Sequence, residues 1–480
     1  MQTRFQIRNF FPLNMLFVER FEVLYISKSH ITSENKILKS KSTSRLKLLR
    51  SKLRSRSDLA KHVRVLRIDA DVMEFYHRAS LNDKTHIIDA FASLVMACPN
   101  LNRLEGFYLE YDQTFDRLSQ ALASRSQLTE RIWRLSAPAP SIRRVDDNFL
   151  NHSDLWSASL TSLVLQGPGT EGCVDYRAFV GTFRKLPRLK RLVIANFAAQ
   201  DFHDRTMAAL PAVTSLRLER LPGVSDKGVA RFAGSAAAKA VRNLTLINLD
   251  IKNIGTVSDV LERLDLKRFS LQQDPPPACP LDPAIEVLLL GSPTLEYLHW
   301  DVLTLSPTHD FLFDSIAAGN FPSLHQIRCI NDHNGLLQSV CRPAAQAILN
   351  SDDHLIHRTS KRTSAIAGLR SLMTVRRTAQ DRIDEARSRP VAKIIVEEDG
   401  RVQSIHEIGG FIGQIGSAID FMLEPDIEGS DTALAQVDDI FEGYGKGGLI
   451  KAPVCGGGVK QEWSHKARFL CVQVDTNSLF

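Results

Sequence analysis

Apolar residues along this chain hold to neither a helical nor a strand period for long. The stretch "LPRLKRLVIANF" (186–197) shows the pattern in miniature. Leu186, Leu189 and Leu192 are three apart, and Ile194 follows after two. Spacing of three or four belongs to a helix and spacing of two to a strand. Recurrence resolves the mixture. The pattern Leu189-x-x-Leu192-x-Ile194 returns as Leu160, Leu163, Leu165, as Val213, Leu216, Leu218, and as Val241, Leu244, Leu246. It continues as Leu266, Phe269, Leu271, as Leu295, Leu298, Trp300, and as Leu324, Ile327, Cys329. From one start to the next the steps are 29, 24, 28, 25, 29 and 29 residues. Two weaker copies lie upstream at Val63, Leu66, Ile68 and at Leu101, Leu104, Gly106.

Each copy predicts a short strand whose alternate side chains point into a core. A helical return must then bring the chain back. Candidates are "DRTMAAL" (204–210), "SDKGVARFAGSAAAKA" (225–240) and "TVSDVLERL" (256–264). Ser225 before Asp226, and Thr256 or Ser258 before an acid, are suitable helix starts. One such unit cannot bury its own apolar edge, so neighbours must stack. A period of about 20–29 residues is that of leucine-rich repeats. The expected fold is therefore an α/β leucine-rich-repeat solenoid, with short parallel strands, helical returns and an irregular C-terminal extension.

The stretches "LPRLKRLVIANF" and "LPAVTSLRLERLPGVSDKGVARF" resemble the strand–turn–helix units of F-box-type leucine-rich-repeat proteins. Within the second, "GVSDKGVARF" resembles that family's t-D-x-G-l helix start. "RSRSDLAKHVRVLRID" and the stretch from "ACPNLNRLEG" to "LTERIW" resemble the region before the repeats in fungal members. The resemblance covers about residues 45–340. It departs at the ninth repeat position, where the family often places Asn or Cys and this chain has Phe197, Leu221, Leu249, Leu303 and Asp332. It departs also before the repeats, because residues 1–50 contain no "LPxEL"-like opening of an F-box.

Periodicity stops after Arg342. Four regions are expected: a basic leader, disordered or helical, at 1–58; the solenoid at 59–342; a polar helical linker at 343–390; and a small strand-and-loop extension at 391–480. In the last, "AKIIVEEDGRVQSIHEI" is the best hairpin in the chain, turning at "EEDG". "ARFLCVQVD" (467–475) is a candidate final strand.

Charge and composition alter this picture little. The chain has 480 residues and a net charge of +6. Residues 1–68 hold 16 Lys and Arg against 4 Asp and Glu, a balance of +12, so the remainder carries −6. In the leader, Leu46, Leu49 and Leu53 are spaced for an amphipathic helix packed on the repeats. Nuclear import and nucleic-acid contact are the competing readings, the second disfavoured because no aromatic interleaves the basic residues. Seven scattered cysteines with no C-x-x-C pair fit a reducing compartment, hence a cytoplasmic or nuclear protein. No run reaches the roughly 18 apolar residues of a membrane span, and no secretory signal is expected.

Candidate chemistry is sparse. "GGFIGQIG" and "CGGGVKQ" match neither the dinucleotide nor the P-loop spacing. His325 and Cys329 share a repeat in which Cys329 takes a core position, and Cys455, His465 and Cys471 lack ligand spacing. The acids of "VEED" (396–399) and "VDD" (145–147 and 437–439) read as solvated turns. No enzyme activity, cofactor, metal or small-molecule substrate is expected.

What remains is the strand surface. If repeat positions four and six face the core, positions three, five and seven face out on a concave side. The candidate partner-binding residues are Arg191, Val193, Arg217, Glu219, Asn243, Thr245, Arg268, Tyr297, His299, Asp301 and Arg328. Exposed Arg and Tyr are frequent interface anchors. The expectation is a protein-recognition scaffold with a client protein on that face. The resemblance further implies the substrate-selecting subunit of a cullin-type ubiquitin ligase, partnered by a Skp-type adaptor and a cullin. A repeat scaffold with no ligase link stands as the alternative.

Overall fold

The computed structural model describes residues 23–26, 32–33, 36–37, most of 45–342, 392–408, 414, 416–421, 437–441 and 476–479. The expected linker at 343–390 and the strand at 467–475 lie outside these residues. So do Leu303 and Asp332, and the glycine-rich "CGGGVKQ" with Cys455, His465 and Cys471. Among the described residues no helix is long and apolar enough to cross a membrane.

Each of the seven strong repeats forms a strand that opens at position three. The strands are Ser162–Gln166, Arg191–Ala195, Ser215–Glu219, Asn243–Ile247, Arg268–Gln273, Tyr297–Val302 and Gln326–Cys329. Internal contacts divide the chain into two compact units. One holds the described residues to Asp201, with Ala209–Pro211 and the helix Val437–Phe441. The other holds Phe202–Ala208 and the described residues from Ala212 onward, apart from that helix.

In the second unit the parallel register carries position four straight across as Leu216, Leu244, Phe269, Leu298 and Ile327. Position six runs as Leu218, Leu246, Leu271, Trp300 and Cys329. Every one of these side chains is buried, so two continuous apolar rows form the core that one repeat alone could not make. Asp420–Phe421 pairs in parallel with the last strand of this series.

In the first unit Leu163 pairs with Leu192 and Leu165 with Ile194 on the same plan. The strand Glu130–Leu135 precedes them and its periodicity was hidden. There Arg131 stands opposite Leu163, where a leucine belongs, while Leu128 and Trp133 keep the buried positions. Trp133 anchors an aromatic cluster, with ring centroids 4.6 Å from Trp156 and 5.4 Å from Phe149. The weak upstream copies form the strands Val65–Ile68 and Arg103–Glu105. Val23–Ile26, inside the basic leader, adds a third parallel strand to them. The amphipathic leader segment forms the helix Arg45–Ser55, with Leu53 buried.

Two devices join successive repeats. The first lies just after the strands, where Asn196, Arg220 and Asn248 at position eight take φ of 58°, 51° and 48°. Asn tolerates this left-handed region well. The turn it makes sends Phe197, Leu221 and Leu249 into the core, so an apolar ladder stands where an asparagine ladder would be.

The second device explains the D-x-G motif. Asp226 accepts hydrogen bonds from the backbone N–H of Lys252 at 3.0 Å and from the Thr256 hydroxyl at 2.7 Å, both in the following repeat. Asp204, one repeat earlier, accepts from the Ser225 N–H at 2.9 Å and from its hydroxyl at 2.7 Å. Gly228 makes room for that carboxylate, because a Cβ there would lie 2.1 Å from Asp204 Oδ1. The returns form as the helices Asp204–Met207, Asp226–Ala233 and Ile254–Arg263. The last starts earlier than Thr256 or Ser258, because Asn253 accepts from the Gly255 N–H at 2.7 Å and caps it.

The expected hairpin is present as Ala392–Glu398 and Arg401–Ile408. Asp399 and Gly400 both have positive φ, the geometry of a two-residue type I′ turn.

Candidate protein-binding face

The parallel register gathers most of the predicted face residues into rows. Within the second unit, row three reads Ser215, Asn243, Arg268, Tyr297, Gln326. Row five reads Arg217, Thr245, Ser270, His299, Arg328. Row seven begins Glu219, Ile247, Gln272, Asp301. Arg191 and Val193 belong to the first unit, on a strand paired with Ser162–Gln166.

These side chains interlock rather than stand free. Arg268 lies over the Tyr297 ring, 4.0 Å from its centroid, a cation–π stack between neighbouring strands. The Asn243 amide donates to the Ser215 hydroxyl at 3.1 Å. In the first unit Arg191 approaches Glu130 at 3.6 Å across an intervening strand. At the head of rows five and seven is the Arg217–Glu219 pair. Arg217 donates through Nε and Nη2 to one carboxylate oxygen of Glu219, at 3.1 and 2.9 Å. Arg220 reaches the other oxygen at 3.2 Å. Arg217 and Glu219 are both essentially inaccessible to solvent.

His299, in row five, is fully buried. Among the described residues neither ring nitrogen has a hydrogen-bond partner. Burial pushes its pKa well below the ordinary histidine range, and the charges of Arg328, Arg217 and Arg268 push the same way. The imidazole is therefore neutral at physiological pH and sits in a positive local field.

The face departs from the sequence expectation in one respect. Val193, Arg217, Glu219, Thr245, Tyr297, His299, Asp301 and Arg328 are buried, and Arg191, Asn243 and Arg268 are only half-exposed. Two reasons are visible. Neighbouring rows cover one another, as just described. In addition, segments from beyond the repeats return to the strands. In the first unit the Gln166 amide, at position seven of its strand, donates to Asp438 of the helix Val437–Phe441. In the second unit Arg217 Nη1 donates to the backbone carbonyl of Leu479 at 3.2 Å. Asp438 is thus no solvated turn acid, and Val437 and Ile440, three apart, are buried beside it.

Sequence reasoning missed these returning segments. The faint signal was apolar spacing of three in "VDDIF" and of one in "SLF". Cys329 sits in the buried row six, and no cluster of three or more metal-ligating side chains occurs among the described residues.

No family model and no curated protein matches the sequence. Among solved structures the chain is similar to the leucine-rich repeat-containing protein LegL7 from Legionella pneumophila. That match has 16% identity and a TM-score of 0.34, over 64% of this chain and 81% of that one. A second is a chain from the complex of Rad7 and Elc1 in yeast, with 12% identity and a TM-score of 0.24, over 60% of this chain and 90% of that one. The fold itself rests on the in-register parallel strands and the helices between them: the chain is an α/β leucine-rich-repeat solenoid.

Proposed function

We propose that this protein is a recognition scaffold that holds a client protein on the strand face of its second unit. One observation carries the reading: the Arg217 guanidinium, fixed by Glu219, grips the backbone carbonyl of an extraneous segment at Leu479. A face that holds one peptide backbone in this way has the chemistry to hold another. Its partners on neighbouring strands are fixed in advance by pairing and stacking, which lowers the entropy cost of binding.

In its finer form the scaffold is the substrate-selecting subunit of a cullin-type ubiquitin ligase. Support for that form is the sequence resemblance over about residues 45–340, with its D-x-G helix start at Asp226 and Gly228. The test is capture from cells with the tagged full chain after mild crosslinking, scored by mass spectrometry. Recovery of a Skp-type adaptor and a cullin supports the ligase form, and their consistent absence leaves the plain scaffold. In the same experiment Arg268→Glu should cut client recovery about tenfold, because it inverts a half-exposed charge on the face and breaks the Tyr297 stack. Unchanged recovery of every partner would place the client elsewhere.

A further inference from the structure

Thr476–Leu479 form one 3-10 turn. Three residues per turn bring Thr476 and Leu479 to the same side. Both are buried, at 1% and 2% exposure, while Asn477 between them is exposed. A single turn this short has no interior of its own, so the burial is supplied by what it lies against. It is anchored by Arg217, in the middle of the strand Ser215–Glu219 and at the head of row five. Nor is the turn a further strand of the sheet: the face holds its backbone carbonyl by the Arg217 side chain, as it would a bound peptide.

We infer that Thr476–Leu479 is an intrachain competitor, seated in the place where a client peptide binds and displaced when the client arrives. The inference rests on the reading of this face as a client site and adds its regulation. The chemistry selects the client class. The displacing segment must present a backbone carbonyl to Arg217 and an apolar side chain of about leucine size where Leu479 lies. The field around row five, set by Arg217, Arg268 and Arg328 against Glu219 and Asp301, disfavours a basic peptide. A tethered competitor needs no concentration of its own in solution, so any client must outbind it to take the seat. Clients that bind weakly are therefore excluded and stronger ones are admitted, with no change in the fold.

The test uses the full chain. The probe is the peptide of residues 475–480, blocked at both ends, and binding is followed by peptide-observed NMR line broadening up to millimolar concentrations. Leu479→Asp should empty the seat, so that variant should bind the peptide at least tenfold more tightly than the wild-type chain. Adding Arg217→Met with Glu219→Gln, which removes the buried pair together, should abolish the gain. A melting curve and far-UV circular dichroism spectrum matching the wild type establish that each variant is folded. If one is not, Leu479→Ala replaces Leu479→Asp, with a gain of at least threefold expected. Equal binding by wild type and variant, or no binding by either, overturns the inference. Failure of the client reading shows separately, as no client captured from cells by either form while the peptide difference persists.

Discussion

Two kinds of strand in the second unit have similar composition and opposite surroundings. Arg268–Gln273 is a strand of the repeat array, with Phe269, Ser270 and Leu271 buried in succession. Ala392–Glu398 and Arg401–Ile408 form the hairpin, yet Ile395, Val396, Val402 and Ile405 are 44–57% exposed. The array strand carries almost no turn information and is fixed by neighbours on both sides. Among the described residues each hairpin strand pairs with the other alone, joined by the Asp399–Gly400 turn. Stability in the array is therefore shared between repeats, while that of the hairpin is local.

The contrast breaks most sharply at Phe269. Phe269→Ala empties a buried position in row four and should cost about 3–5 kcal/mol in urea unfolding, whereas Ile405→Thr on the hairpin should move the same transition by less than about 0.5 kcal/mol. A smaller effect is expected at the joints between repeats. Gly228→Ala drives a methyl group into the Asp204 carboxylate and should cost about 1–3 kcal/mol. Gly234→Ala, whose nearest atom would be 3.6 Å away, is its control and should be near neutral.

The smallest effect is electrostatic and separates the polar face from the apolar core. His299 is held neutral in the fold, so the unfolded chain binds its proton first as pH falls. Stability is unaffected by this group above about pH 6.5 and declines below it, by about 1 kcal/mol at pH 5.5. His299→Gln should remove that part of the acid sensitivity. Identical pH dependence of unfolding in the two proteins would show that His299 gains a proton without penalty.

What the sequence disclosed follows from the same contrast. Seven rungs were legible because positions four and six repeat in phase, and the hairpin was legible because only a few residue pairs suit a type I′ turn. The rung at Glu130–Leu135 was not, because Arg131 occupies a leucine position and the fold relies on Trp133 instead. The rows of positions three, five and seven follow from alternation, which fixes direction. Their burial was not legible, since it depends on segments such as Thr476–Leu479 that arrive more than 100 residues later in the chain. Nothing in the local pattern around Arg217 encodes that arrival.

The D-x-G joint has a consequence for how such an array can change length. Asp226 serves the boundary ahead of it and Gly228 the boundary behind, although only one residue separates them. The motif is a dovetail whose two halves belong to different seams. A duplication or loss that carries the motif whole leaves every seam closed, and one that cuts between the aspartate and the glycine opens two. The phase of the crossover at this joint is thus tied to keeping Asp226 and Gly228 together.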